Sequence, residues 1–337
     1  MPLKTPTTPP TNTPAPTVPP TATPVPAPPP TISLDTTEIK RQLAQVEKDT
    51  AAMRGLRARK DVSEHFISQA ELKYNMMQDT IKEYSAEQAR RDATRLWLLM
   101  FIDDRSIDFL QLEIEFAGEE ILGYYDHRSK ELYVRTDQPS LSPRSQETLA
   151  HEFVHSLQDQ YHDLQKLLPV GIDHDQNMAI RSLVEGDATV SGILYASRHM
   201  SGSDFMKVFE DSGHRAPPVP GRAPVYLQEG WQFPYNYGSA FILDIAGPGK
   251  YQPVEAAFND PPRTTEQIMH PDKYFAKPRD VALPIALPPL TDTLGTGWAL
   301  KETDTLGEFD LDVMLRENYV ENASAAKGWG GARYELY

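Results

Sequence analysis

The chain has 337 residues, enough for one large domain or two ordinary ones, and 39% of them are hydrophobic, enough for a core. Its 48 acidic and 33 basic side chains leave a net charge of −15, a poor match to nucleic-acid phosphates or to an anionic membrane surface. There is no cysteine, which excludes disulfides, thiol catalysis, thiolate metal sites and iron–sulfur clusters; any metal must be held by His, Asp, Glu or water.

Thirteen of the 30 prolines fall within the first 30 residues, interleaved with eight threonines. Proline fixes φ and lacks an N–H, so residues 1–31 read as a disordered, polyproline-like stalk or linker of roughly 3 Å per residue that holds a domain away from a surface. Met1-Pro2-Leu3-Lys4 has no apolar signal-peptide core, and the stalk predicts an export signal or anchor that these residues do not include. Residues 32–337 read as one domain. A helix is expected over 36–59, with Ile39, Leu43, Val46 and Met53 near helical spacing, then a short strand from Val62 to Ile67. Residues 69–101 read as one further helix, with Tyr74, Met77, Ile81 and Tyr84 on one side. These segments carry no recognisable chemistry and are expected to be scaffold, not a prosegment. Leu110 to Phe116 alternates apolar and polar residues and reads as a strand. Ile121 to Tyr125 and Glu131 to Thr136 flank a turn and read as a hairpin. The longest apolar run, Leu96 to Ile102, is seven residues, far short of the roughly 20 that span a bilayer.

Residues 151–155 read His-Glu-Phe-Val-His. Histidines at i and i+4 lie on one helix face a turn apart, so both can reach one cation. The residue after the first histidine points about 100° around the axis. Glu152 therefore flanks the ion and can take a proton from a water on it, the geometric logic of the zinc peptidase motif. Ser142-Pro143 is a good helix start, and Ala150, Val154, Leu157, Tyr161 and Leu164 form the apolar stripe beside the histidines. Glu131 to Thr136, just before this helix, is expected to be the sheet edge that holds an extended substrate.

A catalytic zinc needs a third protein ligand. A histidine six residues after His155 with an intervening glycine is excluded, because those positions hold Tyr161 and Gln158. A carboxylate on a following helix is the alternative. Residues 178–197 read as that helix, and Glu185, followed by small residues in Leu183-Val184-Glu185-Gly186-Asp187-Ala188, is the expected ligand beside His151 and His155. Asp187 is expected to orient a ligand histidine from behind, with Asp159 the competitor for that task.

On these residues the chain resembles the gluzincin group of zinc metallopeptidases. Gly123-Tyr124-Tyr125-Asp126, Leu132-Tyr133-Val134-Arg135, Leu149-Ala150-His151-Glu152, Leu157-Gln158-Asp159-Gln160, Val184-Glu185-Gly186-Asp187-Ala188, Pro234-Tyr235-Asn236-Tyr237-Gly238 and the segment from Pro261 to Tyr274 are similar to a family of secreted or surface metallopeptidases of bacteria and archaea. The resemblance covers about residues 35–337. It implies an α+β, mainly helical zincin-like domain with a small sheet, one catalytic Zn2+, a protein or peptide substrate, and an extracellular or surface-tethered location. Two departures stand out. Thirty residues separate His155 from Glu185, so 168–177 is expected to loop out between the helices. The resemblance also implies further strands beyond Gly328-Trp329-Gly330-Gly331.

In the implied mechanism Glu152 is the general base, and a second donor steadies the oxyanion. Tyr235, Tyr237 and His270 are the candidates, with Tyr235 and His270 preferred. His127, His162, His174 and His214 have no partner pattern and read as solvated. The Pro- and aromatic-rich stretch 213–236 is expected to be an irregular cover over the cleft, and 278–298 a surface wrap. Two other readings stand against a zinc endopeptidase: a catalytically inactive peptidase-fold binding protein of the cell envelope, against which the intact Glu152 argues, and a zinc hydrolase of a non-peptide amide. Cleavage preference and oligomeric state are not encoded in any motif found.

Overall fold

A computed structural model describes Pro29 and residues 35–118, 122–212, 218–318 and 323–337; the stalk and His214 lie outside the described residues. The protein is α+β and mostly helical. Helix α1 (Thr37–Arg54) ends where Gly55 takes a left-handed φ of 74°. Strand β1 (Ser63–Ile67) follows, then α2 (Gln69–Glu83) and α3 (Ala86–Leu98). The single helix expected over 69–101 is thus two. Ser68 and Ser85 each build a capping box with the residue three positions on, so Ser85 starts a new helix where the apolar pattern alone runs through.

Helix α4 (Phe109–Gly118) replaces the strand expected from Leu110 to Phe116. The same string also satisfies a helical period: Phe109 and Leu112 are buried, and Phe116 stacks on Trp231 at 4.6 Å. Packing of α4 against α2 and α3 selects that period.

The expected hairpin is present as β2 (Gly123–Asp126) and β3 (Glu131–Arg135), antiparallel, with Lys130 N–H closing the turn on Asp126 O at 2.8 Å. β1 pairs with β3 in parallel, so the order is β1-β3-β2. This corrects one expectation. The strand immediately before the motif helix is the middle strand, with both edges paired, and among the described residues the free edge on the motif side belongs to β2.

Helix α5 (Pro143–His162) starts as expected, with Ser142 Oγ accepting from Ser145 N at 3.0 Å and Pro143 at its first position. The short α6 (Leu164–Leu167) precedes α7 (His174–His199), capped by Asp173. Helix α7 begins four residues earlier than expected, so only 168–173 loops between helices. Then come α8 (Gly202–Ser212) and α9 (Val225–Ala246). The irregular cover expected over 213–236 is therefore helical from residue 225. Phe233 faces the core, and Trp231 donates to Glu113 Oε1 at 3.0 Å; residues 213–217 lie outside the described set. Helices α10 (Gln252–Asn259), α11 (Thr265–Met269), α12 (Pro271–Phe275) and α13 (Thr291–Leu294) lead to β4 (Glu302–Thr305), α14 (Glu308–Glu317) and β5 (Arg333–Leu336), which pairs antiparallel with β4.

The larger core gathers α3, α4, α7, α9 and α10 around Leu183, Phe241, Ile242 and Phe258. A smaller one seals α1 against β3 and α5 through Ile39, Leu43, Leu132, Val134 and Leu149. Helix α5 thus lies between the sheet and α7, which in turn packs along α9. Among the described residues no helix is long and apolar enough to cross a membrane.

Candidate metal centre

Helices α5, α7 and α9 meet at one point for a steric reason. A Cβ on Gly186 would lie 2.3 Å from the backbone of Gly238, and one on Gly238 would lie 2.1 Å from Ser182 O. Only glycine permits this approach of α7 to α9. Glu185 immediately precedes Gly186, and Tyr235 lies three residues before Gly238, so the contact brings both side chains to the face of α5 that carries the motif.

There His151 Nε2 and His155 Nε2 lie 3.0 Å apart, and each is 3.4 Å from Glu185 Oε2. Among the described residues these three are the only group of His, Asp or Glu side chains whose donor atoms converge closely enough to hold a metal ion. Glu185 Oε2 is buried, with the two imidazole nitrogens as its neighbours. A buried carboxylate oxygen facing two imidazole nitrogens is costly unless a positive species sits among them. The ionisation preferences agree. Burial opposes charge on His155, but the Glu185 carboxylate outweighs it and pushes the pKa up to about 9. Burial likewise pushes the Glu185 carboxyl up, and the two imidazoles more than offset it, holding it well below the usual range. The donor set therefore fits a small cation. The side chains keep 11–17% of their surface exposed, so the point is reachable from solvent.

Glu152 stands beside this triad, as the spacing required. Its Oε2 accepts from the backbone N–H of Tyr125 on β2 at 2.9 Å, which pins the carboxylate to the free sheet edge. Its Oε1 has no described hydrogen bond. The Tyr235 ring stacks on His151 with centroids 6.3 Å apart. Burial, then the adjacent Glu185 carboxylate, raises the Tyr235 hydroxyl well above the usual phenol range, so it stays a proton donor.

The remaining candidates divide. Tyr237 is exposed and stacks on Phe233 instead of entering the triad. His270 sits between α11 and α12 with Nε2 2.8 Å from Oε1 of buried Glu308, and no described contact joins it to His151, His155 or Glu185. Asp159 is engaged elsewhere, accepting from Tyr125 Oη and Lys130 Nζ, each at 2.8 Å, and from Leu164 N. Asp187 does stand behind the triad, but through an intermediary. Gln158 Oε1 lies 2.9 Å from His155 Nδ1, while its Nε2 donates to Val184 O at 3.0 Å and to Asp187 Oδ2 at 2.9 Å. Two histidines expected to be solvated are engaged: His162 Nε2 with Glu255 Oε2 at 3.0 Å, and His174 Nε2 with Asp310 Oδ1 at 3.3 Å.

Sequence reading missed Gln158 and Arg54, whose guanidinium lies against Asp187. Both had a signal. Gln158 is a polar residue on a helix face that is otherwise buried. Arg54 continues the stripe Ile39, Leu43, Val46, Thr50, all buried in α1, so it is an arginine where an apolar residue belongs. Comparison with protein-family models, with curated proteins and with solved structures finds no match, so the candidate centre stands on this geometry alone.

Proposed function

We propose that the protein is a zinc-dependent peptidase in which His151, His155 and Glu185 hold the ion. The observation that carries this reading is the triangle of donors at 3.0, 3.4 and 3.4 Å with Glu152 on its flank. Ligands at about 2.0–2.1 Å from a tetrahedral centre stand about 3.3–3.4 Å from one another; the two contacts with Glu185 match that spacing, and the contact between the histidines is a little shorter. A zinc ion held there by His151, His155 and Glu185 would supply Lewis acidity toward a water and toward the carbonyl to be cleaved.

The chain's own groups supply the rest. Glu152 Oε1, free while Oε2 is held by Tyr125 N–H, takes the proton of the attacking water and passes it to the leaving amine. The Tyr235 O–H donates to the oxygen that gains negative charge. An extended peptide lies along the free edge of β2, the strand that also positions Glu152. The zincin-like relationship of the fold, and a surface-tethered location with residues 1–31 as the stalk, belong to this same reading.

The test is metal analysis of the purified chain beside Glu185→Ala and His151→Ala. Close to one zinc per chain, lost in both variants, together with cleavage of an unstructured protein by the wild type, is the expected result. Stoichiometric zinc that survives Glu185→Ala would remove Glu185 from the site. A zinc-loaded wild type that cleaves no peptide bond in any of a broad set of substrates would turn the reading to a binding protein.

A further inference from the structure

The triad is backed by a chain of contacts that runs out of α5, through α7, into the N-terminal helix. Gln158 is fully buried, and both hydrogens of its Nε2 point at acceptors, Val184 O and Asp187 Oδ2. The amide cannot be turned around, because its oxygen would then face a carbonyl and a carboxylate. Its Oε1 therefore faces His155 Nδ1 and can only accept, so Nδ1 must carry the proton. That choice leaves the lone pair of neutral His155 on Nε2, the atom aimed at His151 and Glu185.

The choice holds only while Asp187 Oδ2 stays where it meets the Gln158 amide. Asp187 is fully buried, and its charge is met by Arg54, whose Nε and Nη2 reach its two oxygens at 3.1–3.3 Å. Arg54 is itself buried. It is held by Glu255 Oε1 at 2.5 Å and lies over the Tyr251 ring at 4.4 Å. The guanidinium fork fixes where both carboxylate oxygens stand; without it Asp187 Oδ2 is no longer held at the point where it accepts from Gln158, and nothing then fixes the Gln158 amide or the His155 tautomer.

We propose that Arg54, at the end of α1, is a positioning residue for the ion-holding triad and acts through Asp187 and Gln158 on His155. The inference rests on the reading of His151, His155 and Glu185 as metal ligands. It makes residues 37–54 an integral part of the centre, since the helix delivers the charge on which the His155 lone pair depends.

The experiment compares the full chain with Arg54→Met, Arg54→Lys and Gln158→Met. Two readouts are used: zinc affinity by competition with a chelator, and the His155 tautomer of the metal-free protein from its ring 15N shifts, recorded at about pH 10, where the imidazole is neutral. Folding is checked by circular dichroism. Arg54→Met is expected to lose about 10–100-fold in zinc affinity and to shift His155 away from the Nδ1–H form. Arg54→Lys keeps the charge without the fork and is expected to fall between. Gln158→Met cuts the relay while leaving Arg54 on its two carboxylates, so it carries the test if Arg54→Met fails to fold; the same affinity loss and tautomer shift are expected. A folded Arg54→Met, or Gln158→Met, with wild-type affinity and wild-type tautomer overturns the relay and leaves the metal-ligand reading intact. A wild type that binds no zinc overturns both.

Discussion

Two buried polar networks border α7, and only one opens on converging donors. The first runs from Arg54 and Asp187 through Gln158 to His155 and ends at His151 and Glu185, three donor atoms with no protein group between them. The second surrounds the start of α7. There Asp310 accepts from Tyr226 Oη at 2.6 Å and Gly307 N at 2.7 Å and faces His174, while Asp175 accepts from Thr265 N at 2.8 Å and Thr265 Oγ1 at 2.6 Å. His270 pairs with Glu308, and Lys273 with Glu266. This cluster is as rich in His, Asp and Glu as the first, yet among the described residues it yields no convergent set of ligands. Burying charge is common to both. What separates a candidate centre from a structural cluster is whether lone pairs point at one shared empty point or at donors the chain itself supplies.

Substitutions can break that distinction or sharpen it. The largest effect is expected from Glu152→Gln, which keeps the oxygen that accepts from Tyr125 but removes the base. Zinc content should be unchanged and peptide turnover should fall by about 10²–10⁴-fold or more; turnover at the wild-type rate in a steady-state assay would remove Glu152 from the mechanism. In the second network Asp310→Ala leaves Tyr226 and Gly307 N–H unpaired and His174 without its carboxylate. A loss of about 3 kcal/mol in denaturant unfolding is expected, with zinc affinity of the folded fraction unchanged. A comparable loss of zinc affinity would join the two networks into one.

Gly238→Ala tests the crossing that brings Glu185 and Tyr235 together. The added methyl meets Ser182 O, a backbone atom that cannot rotate away. About 1–3 kcal/mol of stability should be lost, accompanied by weaker zinc binding, since α7 and α9 must separate at the site. Retained affinity with lowered stability would show that the crossing supports the fold but does not set the centre.

The smallest effect concerns Asp175. Burial is the main reason its pKa is pushed up to about 7, from about 4 in the unfolded chain. The folded form therefore holds a proton that the unfolded form releases, and stability falls as pH rises from about 4 to about 7. Asp175→Asn should flatten that part of the profile and be more stable than wild type above pH 7 by on the order of 1–2 kcal/mol, with the gap closing toward pH 4. Parallel profiles for the two proteins would show that Asp175 ionises freely in the fold.

The motif helix was legible because its signals are local. Ser142-Pro143 caps it, its buried stripe repeats at helical spacing, and His151, Glu152 and His155 follow from a 100° step. The hairpin of β2 and β3 was legible for the same reason. Elements failed where local patterns were degenerate. Leu110 to Phe116 alternates as a strand would, yet Phe109, Leu112 and Phe116 also fall near helical spacing, and the neighbours α2 and α3 chose between the two. Which strand forms the free edge was hidden, since β1 reaches β3 from more than 60 residues away and turns the expected edge into the centre of the sheet.

The candidate site divides along the same line. By itself the sequence determined the pair of histidines, Glu152 beside them and the carboxylate on the next long helix, because helical geometry places residues four apart on one face whatever surrounds them. Only the tertiary structure decided that Tyr235 stacks on His151 while His270 pairs with Glu308, that Gln158 stands between Asp187 and His155, and that an arginine 133 positions before Asp187 lies against it. Those choices depend on where separate helices cross and on which buried charge finds which partner, and no spacing along the chain encodes either.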